Sequence, residues 1–206
     1  MGFPRDQLYS QLFVTPRYPT KQFTGQTIIV TGANCGLGLE AARHFVRLDA
    51  EKVILAVRNL EKGEAAKKSI EASEKRADVV EVWQLDLASY ESVKRFASRA
   101  EGLNRLDVVV ENAGILTRKF SIMEDNESTI TTNVTSTFLL ALLILPKLRD
   151  TAVKFDVLPR LVVVASFVHY LTQFPERETD NIFDTLNDEE TANMDDRYVT
   201  TPFPSR

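Results

Sequence analysis

Residues 27–38 read TIIVTGANCGLG: an apolar run breaks into a glycine cluster and then opens onto a helix-length segment. Few folds accommodate that order. Gly32, Gly36 and Gly38 let a backbone approach a pyrophosphate closely, and a helix starting beyond them offers free N–H groups and a partial positive charge. The spacing is GxxxGxG, not the commoner GxGxxG. Glycine clusters also make ordinary strand-to-helix turns, so the surrounding pattern must carry the assignment.

That pattern is an alternation. β-rich apolar runs recur at 52–56 (KVILA), 79–85 (VVEVWQL), 107–110 (DVVV) and 161–165 (LVVVA). Between them lie amphipathic segments over Leu37–Leu48, over Leu60–Ala72 with Asn59 as N-cap, and over Ser89–Arg99 with Ser89 or Ser92 as cap. A longer helix is expected at about 125–148, which Pro146 should end or bend. The strands are continuously apolar, as in a parallel sheet covered by helices on both faces. The expectation is an α/β fold, a doubly wound parallel sheet of the Rossmann type. Five strands can be counted where a complete fold has about six or more, so the sheet should be incomplete at its C-terminal side. Residues 1–24, with Pro4, Pro16, Pro19, Leu8, Leu12 and Phe13, read as an extended or partly helical arm packed on the surface, and 25–206 as the nucleotide-binding domain. Residues 174–196 read as an acidic surface excursion with one short helix.

Composition narrows the partners. A net charge of −4, with Lys and Arg scattered among acids, offers no basic face for nucleic acid. Cys35 is the single cysteine, so an internal disulfide and a CxxC metal site are both ruled out, no metal is expected, and a reducing, cytoplasmic setting fits. The start MGFPRDQLYS lacks the apolar core of a secretory signal, and the longest apolar stretch, Phe138 to Leu145, is far below the roughly 20 residues that cross a bilayer.

At the end of the second strand stands Arg58, where NAD-preferring domains commonly offer an acid to the ribose hydroxyls. A guanidinium there matches a 2′-phosphate with its fork of donors, and Lys62 one turn later adds a second charge, so the expected cofactor is NADP(H). A solvated arginine at a helix start is the alternative.

With QLDL around Asp86 and VVENAGI around Asn112, Ala113 and Gly114 following TGANCGLG in order, the chain resembles the short-chain dehydrogenase/reductase family from Gly25 to Tyr198. The resemblance implies that Gly32, Gly36, Leu37 and Gly38 bind the cofactor, that Asp86 and Leu87 flank the adenine, and that Asn112 to Gly114 steady the sheet and the cofactor ribose. Glu111 stands where the more frequent NNAG has its first Asn. Asn133 falls where the family keeps an Asn that holds a water in its proton relay. Ser166 falls where a Ser hydrogen-bonds the substrate oxygen, and Tyr198 falls on the tyrosine that exchanges a proton with it. His169 matches a Ser-x-x-His variant of retinol-dehydrogenase-like and fungal members and is assigned no catalytic role. The implied activity is hydride transfer between NADP(H) and an alcohol or carbonyl compound, with fungal secondary metabolism as the implied setting. One departure is large. A phenol with a reference pKa near 10 needs a neighbouring cation to act as a base, and the family places a Lys four residues after the tyrosine, where this chain has Pro202. The sequence therefore also reads as a truncated, impaired or inactive member, with any homo-oligomer weakened by the missing helix.

Overall fold

The computed structural model describes residues 9, 10, 12–166 and 172–200, giving the backbone alone for 199 and 200. Five parallel strands form the central sheet: β1 (Thr27–Thr31), β2 (Lys52–Val57), β3 (Val80–Gln84), β4 (Val108–Glu111) and β7 (Arg160–Val163), in spatial order β3-β2-β1-β4-β7. Between β4 and β7 in the chain, β5 (Ile122–Met123) and β6 (Asn126–Glu127) make a small antiparallel hairpin. Ile29 of β1 sits opposite Ile54 of β2 on one side and Val109 of β4 on the other. The strand order reverses beside β1, and open α/β sheets bind ligands at such a switch point.

Alternate strand residues feed two separate cores. Ile28 and Val30, with Val53, Leu55, Val108 and Val110, pack against α1 (Gly36–Arg47) and α2 (Leu60–Glu74) through Ala42, Val46, Ala66 and Ile70. On the other face Ile29, Ile54 and Val109 meet α3 (Tyr90–Glu101) through Val93 and Phe96. Both faces are thus covered, which is why the strands read as unbroken apolar runs. Trp83 closes the second core at its rim: Phe96 meets its ring edge-on at 5.7 Å, the Arg99 guanidinium lies 3.9 Å from the ring centre, and Nε1 donates to Glu81 at 2.9 Å.

The helix caps settle one open alternative. Asn59 Oδ1 accepts from Lys62 N at 2.9 Å to start α2, and Ser89, not Ser92, caps α3 by accepting from Ser92 N. The helix expected at about 125–148 is different from its prediction. The hairpin takes its first residues, then follow α4 (Ser128–Ile130), a π-helical turn (Thr131–Thr135) and α5 (Ser136–Phe155), which continues past Pro146. Pro146 lies on the solvent side, and the carbonyl it leaves without a partner belongs to exposed Leu142, where water can satisfy it. Leu140, Ile144 and Leu148 hold the helix onto the sheet on either side of the proline. The run Ser128–Phe155 is 28 residues long and apolar enough to cross a bilayer by length and composition, but 61% of its apolar window is buried inside the protein. Most of that window faces the core, while Phe138, Leu142 and Val153 are exposed.

Residues 174–196 hold more order than one short helix. A 3-10 turn (Pro175–Glu178) leads to α6 (Ile182–Leu186), capped by Asn181, and then to α7 (Met194–Thr200). Asn187 ties this segment to the hairpin by accepting from Glu127 N at 2.7 Å, and Leu186, Arg197 and Tyr198 are buried. The lead-in before β1 attaches through Tyr18, which lies 4.6 Å from the Arg47 guanidinium, and through Phe23, edge-on to Phe45 at 4.9 Å. Leu12 and Phe13 are exposed instead.

Candidate active site

The glycine turn is fixed from below by a single hydroxyl. Thr31 Oγ1 accepts from Asn112 N and Ala113 N, both at 2.9 Å, while Asn112 Nδ2 donates to Thr31 O at 3.1 Å. These bonds lock the start of the turn to the segment after β4. A Cβ on Gly38 would stand 2.5 Å from Asn112 Nδ2 and 2.7 Å from Gly32 O, so no side chain fits there. Gly36 has φ +56 with nothing within 4 Å of a would-be Cβ, so its glycine is required by backbone conformation and the space above it is open. Cys35, the residue before α1, makes no side-chain cap bond, which leaves the first N–H groups of α1 facing that space. Such a cradle fits a diphosphate. Leu37 is exposed beside it.

Along the carboxyl edge of the sheet the other residues follow in strand order. Asp86 comes after β3, Arg58 after β2, the turn after β1, Asn112–Gly114 after β4 and Ser166 three residues beyond β7. Arg58 and Lys62 are exposed and neither is held in an ion pair among the described residues. Asp86 is half-buried, and one of its oxygens accepts from Ala88 N at 3.0 Å, shaping the loop into α3. Leu87 is buried in the second core.

Asn133 lies in the π turn with no exposed surface. Its Oδ1 accepts from Ile115 N at 2.8 Å and its Nδ2 donates to Ile115 O at 2.9 Å, so it clasps the strand extension that carries Asn112–Gly114. Ser166 is half-buried at the sheet edge. Tyr198 is 6% exposed in α7, next to Arg197, whose guanidinium Nε lies 4.0 Å from Glu127 of the hairpin. His169 and Pro202 fall outside the described residues.

The sequence did not show that two acids are buried. Glu111 ends β4 at 2% exposure, and neither carboxylate oxygen meets a hydrogen-bond partner among the described residues. Burial alone pushes its pKa up to about 8, so it is protonated at neutral pH. The signal was a charged residue closing an otherwise apolar strand run. Glu127 is fully buried and caps α4, its Oε1 accepting from Thr129 N at 2.9 Å and Ser128 Oγ at 2.8 Å. Nothing in NEST distinguished it from a surface acid. Burial holds the Arg197 pKa below its ordinary value, against the attraction of Glu127, Glu176 and Asp196.

The family model described as short chain dehydrogenase matches residues 26–156. The short chain dehydrogenase atnD of Emericella nidulans is 53% identical over 197 residues, which cover 95% of this chain and 63% of that protein. The short chain dehydrogenase/reductase dmxR8 of Cryptosporiopsis is 51% identical over 204 residues, 96% of this chain and 62% of that protein. The chain thus spans under two thirds of the length of these curated relatives. Among solved structures, a Shigella flexneri 2a protein in complex with NADP superposes with a TM-score of 0.60 at 27% identity, covering 88% of this chain and 70% of that one.

Proposed function

Since the chain belongs to the short-chain dehydrogenase family, we propose that it acts in NADP(H)-dependent oxidation or reduction of a small alcohol or carbonyl compound. The observation that carries this reading is the turn locked by Thr31 to Asn112 and Ala113, with an uncapped α1 above it and exposed Arg58 just beyond the neighbouring strand β2. Gly32, Gly36, Leu37 and Gly38 receive the diphosphate on backbone N–H groups. Arg58 and Lys62 take the 2′-phosphate, a choice supported by the NADP complex of the Shigella relative. Asp86 and Leu87 border the adenine, and Asn112, Ala113 and Gly114 the ribose.

The cofactor, when held by these residues, would supply or accept a hydride at the substrate carbon. Ser166 orients the substrate oxygen by a hydrogen bond, and Tyr198 gives that oxygen its proton on reduction or removes it on oxidation. Asn133 supports proton exchange at Tyr198 through water. Residues 25–206 form the nucleotide-binding unit behind an arm of residues 1–24. The single cysteine supports a cytoplasmic setting, and the fungal relatives support a tailoring step in secondary metabolism.

Pro202, standing where the family keeps its Lys, favours a second reading: a protein that binds nucleotide without turnover. Fluorescence titration with NADPH, followed by NADPH-dependent reduction of a ketone panel, separates the two. Turnover that disappears in Tyr198→Phe establishes the first. Binding without turnover establishes the second, and failure to bind NADPH sinks both.

A further inference from the structure

We propose that Glu127 is a positioning residue that sets Asn133 and Tyr198 relative to each other, one carboxylate oxygen building the turn that carries Asn133 and the other holding the residue next to Tyr198. The inference rests on the reading of Asn133 and Tyr198 given above. Glu127 Oε1 accepts three hydrogen bonds, from Ser128 Oγ, Thr129 N and Thr129 Oγ1 at 2.8, 2.9 and 3.2 Å. These fix the carboxylate plane and start the helical run that reaches Asn133 without a break. Oε2, pointed by the same plane, has Arg197 Nε 4.0 Å away. Glu127 is 0% and Arg197 1% exposed at the side chain.

Two charges so far from water are retained at a cost that their attraction repays only when both stay in place. A pair of this kind adds little net stability, and in some proteins it fixes one arrangement. Here it joins segments 70 residues apart and ends one residue from Tyr198. Glu176 of the 3-10 turn and Asp196 of α7 also face Arg197, and Asp196 is engaged by Thr172 Oγ1 at 2.6 Å. Glu127 alone among them belongs to the part that carries Asn133.

The test uses the full chain. Glu127→Gln keeps an oxygen for the cap and deletes the charge. Nitration of Tyr198 by tetranitromethane should become at least tenfold faster, and amide hydrogen exchange over 190–200 should rise similarly. Exchange over 27–57 and NADPH affinity should stay within twofold. Arg197→Lys should hold Tyr198 protection within threefold of the native chain, whereas Arg197→Met should match Glu127→Gln. If Glu127→Gln does not fold, Glu127→Gln with Arg197→Met removes both charges together and should show the same release of Tyr198. Unchanged nitration, equal behaviour of the Lys and Met variants, or uniform acceleration that includes 27–57 would overturn the proposal. None of these readouts needs turnover. A native chain that protects Tyr198 in this charge-dependent way yet reduces no ketone would refute the oxidoreductase reading and leave the positioning role standing.

Discussion

The two ends of the candidate site are built by different means. At the phosphate end, one hydroxyl, one amide and a glycine that tolerates no Cβ lock the turn after β1 to the segment after β4, and most of the chemistry is offered by backbone. At the end proposed to react, Asn133, Ser166 and Tyr198 arrive from a π turn, a sheet edge and a short helix, and the proposed roles fall to side chains. Backbone cradles follow from local sequence; side-chain constellations depend on contacts between distant segments. The first end should therefore fail through steric changes and the second through changes of charge or contact.

The largest expected effect lies on the border between the ends. Glu111 has an ordinary pKa of 4.5 when unfolded and about 8 when folded. Between these values the unfolded chain has released a proton that the folded chain retains, so stability falls as pH rises through the window. At about 1.4 kcal/mol per unit this amounts to roughly 5 kcal/mol across the range. Urea unfolding at pH 5 and pH 8.5 should show this slope, and Glu111→Gln should flatten it. A slope that survives the substitution would assign the proton elsewhere.

Gly38→Ala tests the steric claim. With its Cβ 2.5 Å from Asn112 Nδ2, NADPH affinity should drop by about a hundredfold, or roughly 3 kcal/mol, in a fluorescence titration. Thr31→Val removes the acceptor for two backbone N–H groups and should cost about 2 kcal/mol of unfolding free energy. A neutral result there would mean that water replaces the hydroxyl. Arg58→Ala should weaken NADPH about tenfold while leaving NADH within twofold. The smallest effect is expected of Tyr198→Phe, which should leave NADPH affinity unchanged, and a large loss would erase the separation between the two ends.

The same contrast explains what could be read in the sequence. The five strands and the helices α1 to α3 were legible because period, caps and glycines are local signals, and their ends moved by only one or two residues. Pro146 does not end the helix, because the carbonyl it deprives of a partner belongs to Leu142, an exposed residue where water can serve. The segment 174–196 reads as a polar excursion because Asn187 and, just beyond the segment, Arg197, which dock it, are polar residues whose partner Glu127 lies 60 and 70 residues away. Arg58, Asn112 and Tyr198 could be named from motifs, yet Glu127 could not, since burial of an acid follows from tertiary packing alone.

The stacking of Trp83 between Phe96 and Arg99 has a practical side. It is the chain's one tryptophan and belongs to β3, on the sheet side of the molecule. Excited at the indole band, the protein emits from that half alone. A melt followed by tryptophan emission would register loss of the β3–α3 packing and remain blind to release of the segment carrying Tyr198, so two optical probes that disagree in midpoint would mark where cooperativity divides the molecule.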